Sequence, residues 1–331
     1  MDLQVMAWIT GQTLQNGKYT IQQELGRGRC AITYRVQDDT GKDFVVKTLN
    51  QDILSQLPDV ERTSIESKFC DEALKLERCK HPHIVRVYRT FQDESLFCIL
   101  MEYIAGIKLS DLTLPIPQQE ALVYIQQVGE ALIEVHQQGL LHRDVKPENI
   151  MVRAGKQQAV LIDFDLAGEF NNPLTSRWKD KQFAPVELSS TNRKQGAYTD
   201  VYSLAATLYV LLTGKFPATA LDRLDDIAEL VEPKTLKFDI SERVNQAIVQ
   251  GMKLDYGDRP QTMEEWLALL GIRRGIRVPG FPQTKAEWVK VGKIVGGILG
   301  IAAAIAGIIS MTVDIGVWSP DSSSPSPEET N

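Results

Sequence analysis

One stretch of this chain restricts its fold and chemistry more than any other: "LLHRDVKPENIMV", Leu140 to Val152. His142, Arg143, Asp144, Lys146 and Asn149 fall within eight residues, with apolar positions on both sides. Fourteen residues after Asn149 comes Asp163, at the end of the apolar run Val160-Leu161-Ile162. Any fold this chain adopts has to present those side chains from a loop and a strand end, so the rest of the sequence is read around them.

Ahead of that stretch the chain reads as β-rich. "YTIQQELG", "AITYRVQDD" and "FVVKTL" carry period-2 or β-branched patterns bounded by Gly and Asp, which predicts three strands, the last two joined by the turn "DDTGKD". A helix is predicted around Arg62 to Cys79, with Ile65, Phe69, Ala73 and Leu76 at helical spacing. "HIVRVYRTF" and "SLFCILMEYI" add two more strands. From Gln118 the period becomes helical: Leu122, Ile125, Val128, Leu132 and Val135 share a face, and Gly139 ends it. Val201 to Leu212 is apolar nearly all round, which predicts a buried helix too short to span a bilayer. The expected class is α+β: a small β-rich lobe followed by a larger helical lobe.

Two further features bear on chemistry. "LGRGRCAITY" places Gly26, Gly28 and Ala31 at the spacing of a glycine-rich nucleotide loop. A dinucleotide fold continues from such glycines into a helix; here Ile32, Thr33, Tyr34 and Val36 continue as a strand. Strand, glycines, strand makes a flap that can lie over phosphates and offer backbone N–H groups. An ordinary glycine-turn hairpin is the competing reading. Lys47 ends the strand "FVVK", and Glu72 lies on the helix face of Phe69 and Leu76. A carboxylate buried in an apolar stripe needs a partner. Lys47 is the expected one, the pair aiming the lysine at phosphate oxygens; the alternative has Glu72 bent outward.

Taken together these motifs resemble those of eukaryotic-like serine/threonine protein kinases, particularly bacterial membrane-anchored ones, over about residues 19 to 270. The resemblance implies a two-lobed protein-kinase-like fold, with an N-lobe over about 19–103 and a C-lobe over about 104–270. It implies ATP and Mg2+ (or Mn2+) as cofactors, and protein hydroxyls as the phosphate acceptors. Asp144 would accept the acceptor hydroxyl's proton or orient that hydroxyl, and Lys146 would neutralise charge on the transferred group. Asn149 and Asp163 would hold two Mg2+ ions. Gly26, Gly28, Ala31, Lys47 and Glu72 would serve ATP, Met101 would guard the pocket, and Glu102 and Ile104 would offer adenine backbone hydrogen bonds. Asp200 would brace the catalytic loop, and Arg259 in "GDRPQT" would pair with Glu187 in "FAPVEL", both in architectural roles. Phosphoryl transfer depends chiefly on positioning and charge neutralisation, so these residue types suffice.

The chain departs from the family pattern at four places. Ala31 replaces the third glycine, and Val45 replaces the usual alanine of the third strand. Val186 and Asp180 stand where the family has Pro and Thr, which loosens the inference about substrate type. Asp165 follows Asp-Phe where a glycine is usual. Aspartate tolerates φ > 0 better than most residues and bonds nearby backbone, so a local turn role and a second metal-side carboxylate are both open. Because Lys47, Glu72, Asp144, Asn149 and Asp163 are all present, an active enzyme is the expectation, and a nucleotide-binding pseudokinase scaffold is the alternative. Thr175 and Ser176 lie mid-loop between Asp163 and Glu187, where a phosphate could meet Arg143; an unmodified loop is the competing reading.

The C-terminal part has a different composition. Residues 294–313, "IVGGILGIAAAIAGIISMTV", hold no charge over the roughly 20 positions a spanning helix needs. A buried core helix is the other reading. Arg273, Arg274, Arg277, Lys285, Lys290 and Lys293 precede the run, and only acids follow it: Asp314, Asp321, Glu328 and Glu329. That asymmetry predicts a single-pass membrane helix with the kinase domain cytoplasmic and the short tail outside. The expected order is then an N-terminal arm (1–18), kinase domain (19–270), basic juxtamembrane linker (271–293), transmembrane helix (294–313) and disordered tail (314–331). Gly296, Gly300 and Ala304 fall on one face, which allows a homodimer, although small residues are common in such helices anyway. The net charge of −7 argues against a nucleic-acid partner. Cys30, Cys70, Cys79 and Cys98 lack CxxC spacing and read as reduced thiols. "MDLQVMAWITGQ" does not read as a signal peptide.

Overall fold

The computed structural model of the chain describes residues 8–28, 30–94, 96–164, 182–189 and 193–272. Asp165, Thr175, Ser176, Asp180, most of the linker, the apolar run 294–313 and the tail all lie outside them.

Among the described residues the N-lobe is a six-stranded sheet, ordered β1-β2-β3-β4-β6-β5. The strands are β1 (Thr13–Leu14), β2 (Tyr19–Arg27), β3 (Ala31–Asp38), β4 (Asp43–Leu49), β5 (Val87–Asp93) and β6 (Leu96–Glu102), and each neighbouring pair is antiparallel. Between β4 and β5 come a single turn, α1 (Gln51–Leu54), and the long α2 (Asp59–Arg78). The stretch expected to be an arm begins the sheet instead: β1 pairs with β2, and Trp8 is buried with its ring 5.2 Å from Tyr34. The cause lies in which face needs cover. One face of the sheet packs on α2 through Ile65, Phe69, Ala73 and Leu76, while the other builds its own core from Tyr19, Ile21, Tyr34, Phe44, Phe91 and Leu100. Trp8 and Leu14 close that second core. A sheet buried on both faces also accounts for the nearly continuous apolar runs of β4 and β6.

Below it, β7 (Gly106–Lys108), β8 (Ile150–Arg153) and β9 (Ala159–Leu161) form a small sheet, joined by α3 (Gln118–Gln137). The C-lobe continues with α4 (Ala197–Thr213), α5 (Ala220–Leu224), α6 (Pro233–Leu236), α7 (Glu242–Gly251) and α8 (Met263–Leu269). α3 starts after Pro117, buries Ile125, Val128, Leu132 and Val135, and stops before Gly139, whose φ of 68° a glycine adopts without strain. α4 is the lobe's centre, with Val201 to Leu212 entirely buried. Its polar members satisfy one another: Thr207 Oγ1 donates to Ser203 O (2.9 Å) and Ser203 Oγ to Thr199 O (3.3 Å). At about 1.5–3 kcal/mol for each fully buried large apolar side chain, this helix anchors the platform beneath the loop that carries His142 to Asn149.

Candidate active site

The catalytic loop is held from below by one carboxylate. Asp200, in the first turn of α4 and fully buried, accepts the backbone N–H of His142 (2.9 Å, Oδ2) and of Arg143 (2.9 Å, Oδ1). His136 Nε2 stands 2.8 Å from Oδ2. Burial pushes the Asp200 carboxyl up, but the His136 hydrogen bond and the neighbouring histidines outweigh it, so the group is held below the usual carboxylate range. Arg143 can therefore keep a φ of 63°, a left-handed conformation that a non-glycine residue holds only when its surroundings fix it.

Above this brace the expected residues converge. Lys146 Nζ lies 3.1 Å from Asp144 Oδ1, and Asn149 Nδ2 donates to Asp144 Oδ2 (2.7 Å) and Asp144 O (2.8 Å). Ile162 N–H donates to Asn149 O (2.9 Å), which ties the strand end carrying Asp163 to the same wall. Phe164 is buried, with its ring 4.5 Å from His142. Asp163 has a φ of 55°.

Lys47 is buried and donates to Asp163 Oδ1 (2.6 Å) and to Phe164 O (2.9 Å). Glu72, also buried, accepts from Arg143 Nη1 (3.0 Å), while Arg143 Nε donates to Gln195 Oε1 (3.0 Å). The expected Lys47–Glu72 pair is thus replaced by two others. The physical reason is competition: Glu72 requires a cation, and the catalytic loop presents Arg143 to it, while Asp163 requires one and β4 presents Lys47. The inward orientation of Glu72 agrees with its position on the apolar stripe, but its partner comes from 71 residues away.

Over the cleft, Gly26 and Arg27 end β2 and Ala31 begins β3; Gly28 N–H donates to Ala31 O (2.8 Å), closing the flap. A Cβ on Gly28 would meet that same carbonyl at 3.2 Å, so the tight turn favours glycine there. At the hinge, the segment from the end of β6 to β7 that joins the two lobes, Met101 and Ile104 are buried. The Glu102 amide is already given to Arg86 O (2.8 Å), so a base can meet only its carbonyl; its carboxylate forms a two-point pair with Arg153 (2.6 and 3.0 Å). Gly106 follows, where a Cβ would fall 2.0 Å from Val152 O, so the strand below the hinge can pack only as glycine.

Glu187 and Arg259 form a buried fork, Nη1–Oε1 2.6 Å and Nη2–Oε2 3.0 Å. Thr199 Oγ1 donates to Glu187 Oε1, Arg259 Nε to Lys253 O, and the guanidinium lies 5.0 Å from the Tyr202 ring. None of the four cysteines is in a disulfide, and burial pushes Cys79 up to about 11 and Cys98 up to about 12. Sequence reasoning missed His136, Gln195 and Asn50; Asn50 is buried against the flap.

The donor set suits magnesium. Asn149 spends its NH2 group on Asp144, which leaves its amide oxygen as the acceptor to offer beside the Asp163 carboxylate. Hard oxygen donors, few in number, are what Mg2+ takes when phosphates supply the rest. Among the described residues no group of three or more His, Cys, Asp or Glu side chains is gathered for a metal.

A family model described as the protein kinase domain matches residues 19–267. The chain belongs to the protein kinase family. A probable serine/threonine-protein kinase of Clostridium acetobutylicum is 30% identical over 270 residues, 77% of this chain and 40% of that protein. PrkC of Bacillus subtilis, also a serine/threonine-protein kinase, is 26% identical over 264 residues, 76% of this chain and 39% of that protein. This chain therefore spans about 40% of the length of these curated relatives. Among solved structures, a double mutant of the PknI kinase domain from Mycobacterium tuberculosis superposes with TM-score 0.63 at 25% identity, covering 80% of this chain and 98% of that one. The apo form of PpkA-294 shares the fold, with TM-score 0.64 at 23% identity, covering 80% of this chain and 99% of that one. The domain is of the serine/threonine protein kinase type, with a β-sheet N-lobe and a helical C-lobe. Among the described residues no helix is long and apolar enough to cross a membrane.

Proposed function

We propose that this kinase is catalytically active, transferring the γ-phosphate of ATP to serine or threonine hydroxyls of proteins. The contact of Asp144 with both Lys146 and Asn149 carries the proposal, because it assembles the groups that act on the acceptor hydroxyl and the transferred phosphate. Asp144 accepts the hydrogen bond of the incoming hydroxyl and fixes its line of attack. Lys146, beside it, offsets negative charge on the transferred group. When bound, Mg2+ neutralises charge along the phosphates. Lys47 reaches the phosphates once it leaves Asp163, and Glu72 then becomes its partner by leaving Arg143. Arg143, on leaving Glu72, takes a phosphate on Thr175 or Ser176 as its new acidic partner.

The test incubates the full chain with γ-labelled ATP and Mg2+, alone and with a generic basic protein. Label on either protein, lost in Asp144→Asn, supports the proposal. The second reading is a pseudokinase scaffold. The pairings Lys47–Asp163 and Glu72–Arg143 favour it, since both leave the charged set satisfied within the chain. ATP binding without any transfer would select it.

The proposal includes a membrane location: residues 294–313 as a single span, kinase domain cytoplasmic, tail outside. It rests on the uncharged run and its basic-before, acidic-after flanks. The full chain should stay in the membrane pellet through alkaline carbonate extraction, and a chain ended at residue 293 should not. Pairing through Gly296, Gly300 and Ala304 would bring two kinase domains together, and Gly296→Leu with Gly300→Leu should then lower crosslinked dimer and autophosphorylation together.

A further inference from the structure

Asn50 is the residue immediately after β4, three positions beyond Lys47, and it is 4% exposed. Its side chain serves no helix cap: the Asn50 carbonyl starts α1, but the amide group does not turn back onto the first turn. Instead Nδ2 donates to Gly28 O at 2.9 Å, and the Asn50 backbone N–H donates to Cys30 O at 2.8 Å. Both acceptors belong to the glycine flap. A third tether lies outside these two, where Arg27 Nη1 meets Asp52 Oδ2 of α1 at 3.1 Å. The other end of the Asn50 amide, Oδ1, is buried and has no hydrogen-bond partner.

A buried acceptor without a partner works against stability. An apolar side chain of similar size would avoid that cost, so the stability of the lobe alone does not explain an asparagine here. What the asparagine supplies is a donor aimed at a flap carbonyl. Fixing a flap carbonyl fixes the height and tilt of the flap backbone at Gly28. Phosphate binding by a backbone flap depends on that placement, because the flap must already be in position when the ligand arrives to gain the full benefit of preorganisation. We infer that Asn50 is a positioning residue for the ATP phosphates: it clamps the glycine flap to the end of β4, so that flap height and Lys47 position are set by one strand. The inference rests on the proposed ATP site but not on catalytic turnover.

The test measures binding of two ligands to the full chain in the presence of Mg2+: a non-hydrolysable ATP analogue and adenosine, which has the base but no phosphates. Asn50→Ala should weaken the analogue by roughly 2- to 12-fold, the worth of one neutral hydrogen bond, and leave adenosine unchanged. Asn50→Asp keeps the shape but sets an acceptor against Gly28 O, so its loss should be larger and equally selective. Asn50→Ser keeps a residue favoured before a helix but is too short to reach Gly28. It secures the test if the other variants fail to melt cooperatively. Equal losses for both ligands, or an unchanged analogue affinity in a folded variant, would overturn the clamp. If wild type binds the analogue but transfers no phosphate from ATP, the kinase proposal fails while the clamp is still decided by these affinities.

Discussion

Lys47 Nζ sits 2.6 Å from Asp163 Oδ1 and 2.9 Å from the carbonyl oxygen of Phe164, so the lysine of β4 and the Asp163 carboxylate hold each other across the cleft. The lysine is buried and the carboxylate partly exposed, which places the exchangeable end of the pair on the cleft side. Lys47→Met should lower kcat/KM by at least about 100-fold, the scale of losing one preorganised charge at a reacting phosphate. Steady-state kinetics with varied ATP check it; a loss under tenfold would mean that Lys47 does not reach the phosphates.

Glu72 and Arg143 give a second measurable pair. Both side chains are about nine-tenths buried, and their ion pair links α2 to the catalytic loop. A double-mutant cycle on Glu72→Gln and Arg143→Gln, read by urea unfolding, should give a coupling of about 0.5–3 kcal/mol. The same cycle on Glu72 and Lys47 should give a coupling near zero in the resting protein. The reverse order would restore the pairing expected from sequence.

The Glu187–Arg259 fork is fully desolvated, so removing one partner leaves a buried charge. Arg259→Met should destabilise the C-lobe by about 3–5 kcal/mol, and Glu187→Gln less, since Thr199 still donates to it. The double replacement should cost less than the sum of the two. Denaturant midpoints at constant m-value measure this.

Stability should fall on acidification from near neutral pH. Burial holds His142 below its ordinary 6.5 despite the Asp200 and Asp144 charges, and burial holds His83 below 6.5 despite its bond to Ala159 O. With the folded values depressed, the unfolded chain takes up protons first. The stability present above 6.5 is therefore lost as pH falls through the folded values, at up to about 1.4 kcal/mol per pH unit for each histidine. Asp200, also depressed, extends the loss to lower pH. His83→Gln should make the decline shallower; an unchanged slope would mean that His83 does not take part.

What the sequence revealed and what it hid follow from locality. Asp144, Lys146 and Asn149 were legible because a single loop carries them, and Asp200, Glu187 and Arg259 because each sits in a recognisable short segment. Helices α3 and α4 announced themselves by period and by all-round apolarity. The partner of Glu72 was not legible, because Arg143 lies 71 residues away and nothing in the sequence spacing ranks it against Lys47. Trp8 and Leu14 gave no periodic signal, since two buried residues separated by a turn have no period; only the uncovered face of the sheet explains them. No motif or period marks Asn50, and only the distance to Gly28 O gives it a role.

The most direct measurement compares phosphate transfer and nucleotide binding in one pair of proteins, wild type and Asp144→Asn, using the full chain with γ-labelled ATP, Mg2+ and a generic basic protein. The account predicts transfer by wild type, transfer reduced at least about 1000-fold in the variant, and nearly equal ATP affinity in both, because the proposed role of Asp144 is toward the acceptor hydroxyl and not the nucleotide. Wild-type transfer retained in Asp144→Asn, or ATP binding by wild type without any transfer, would contradict it.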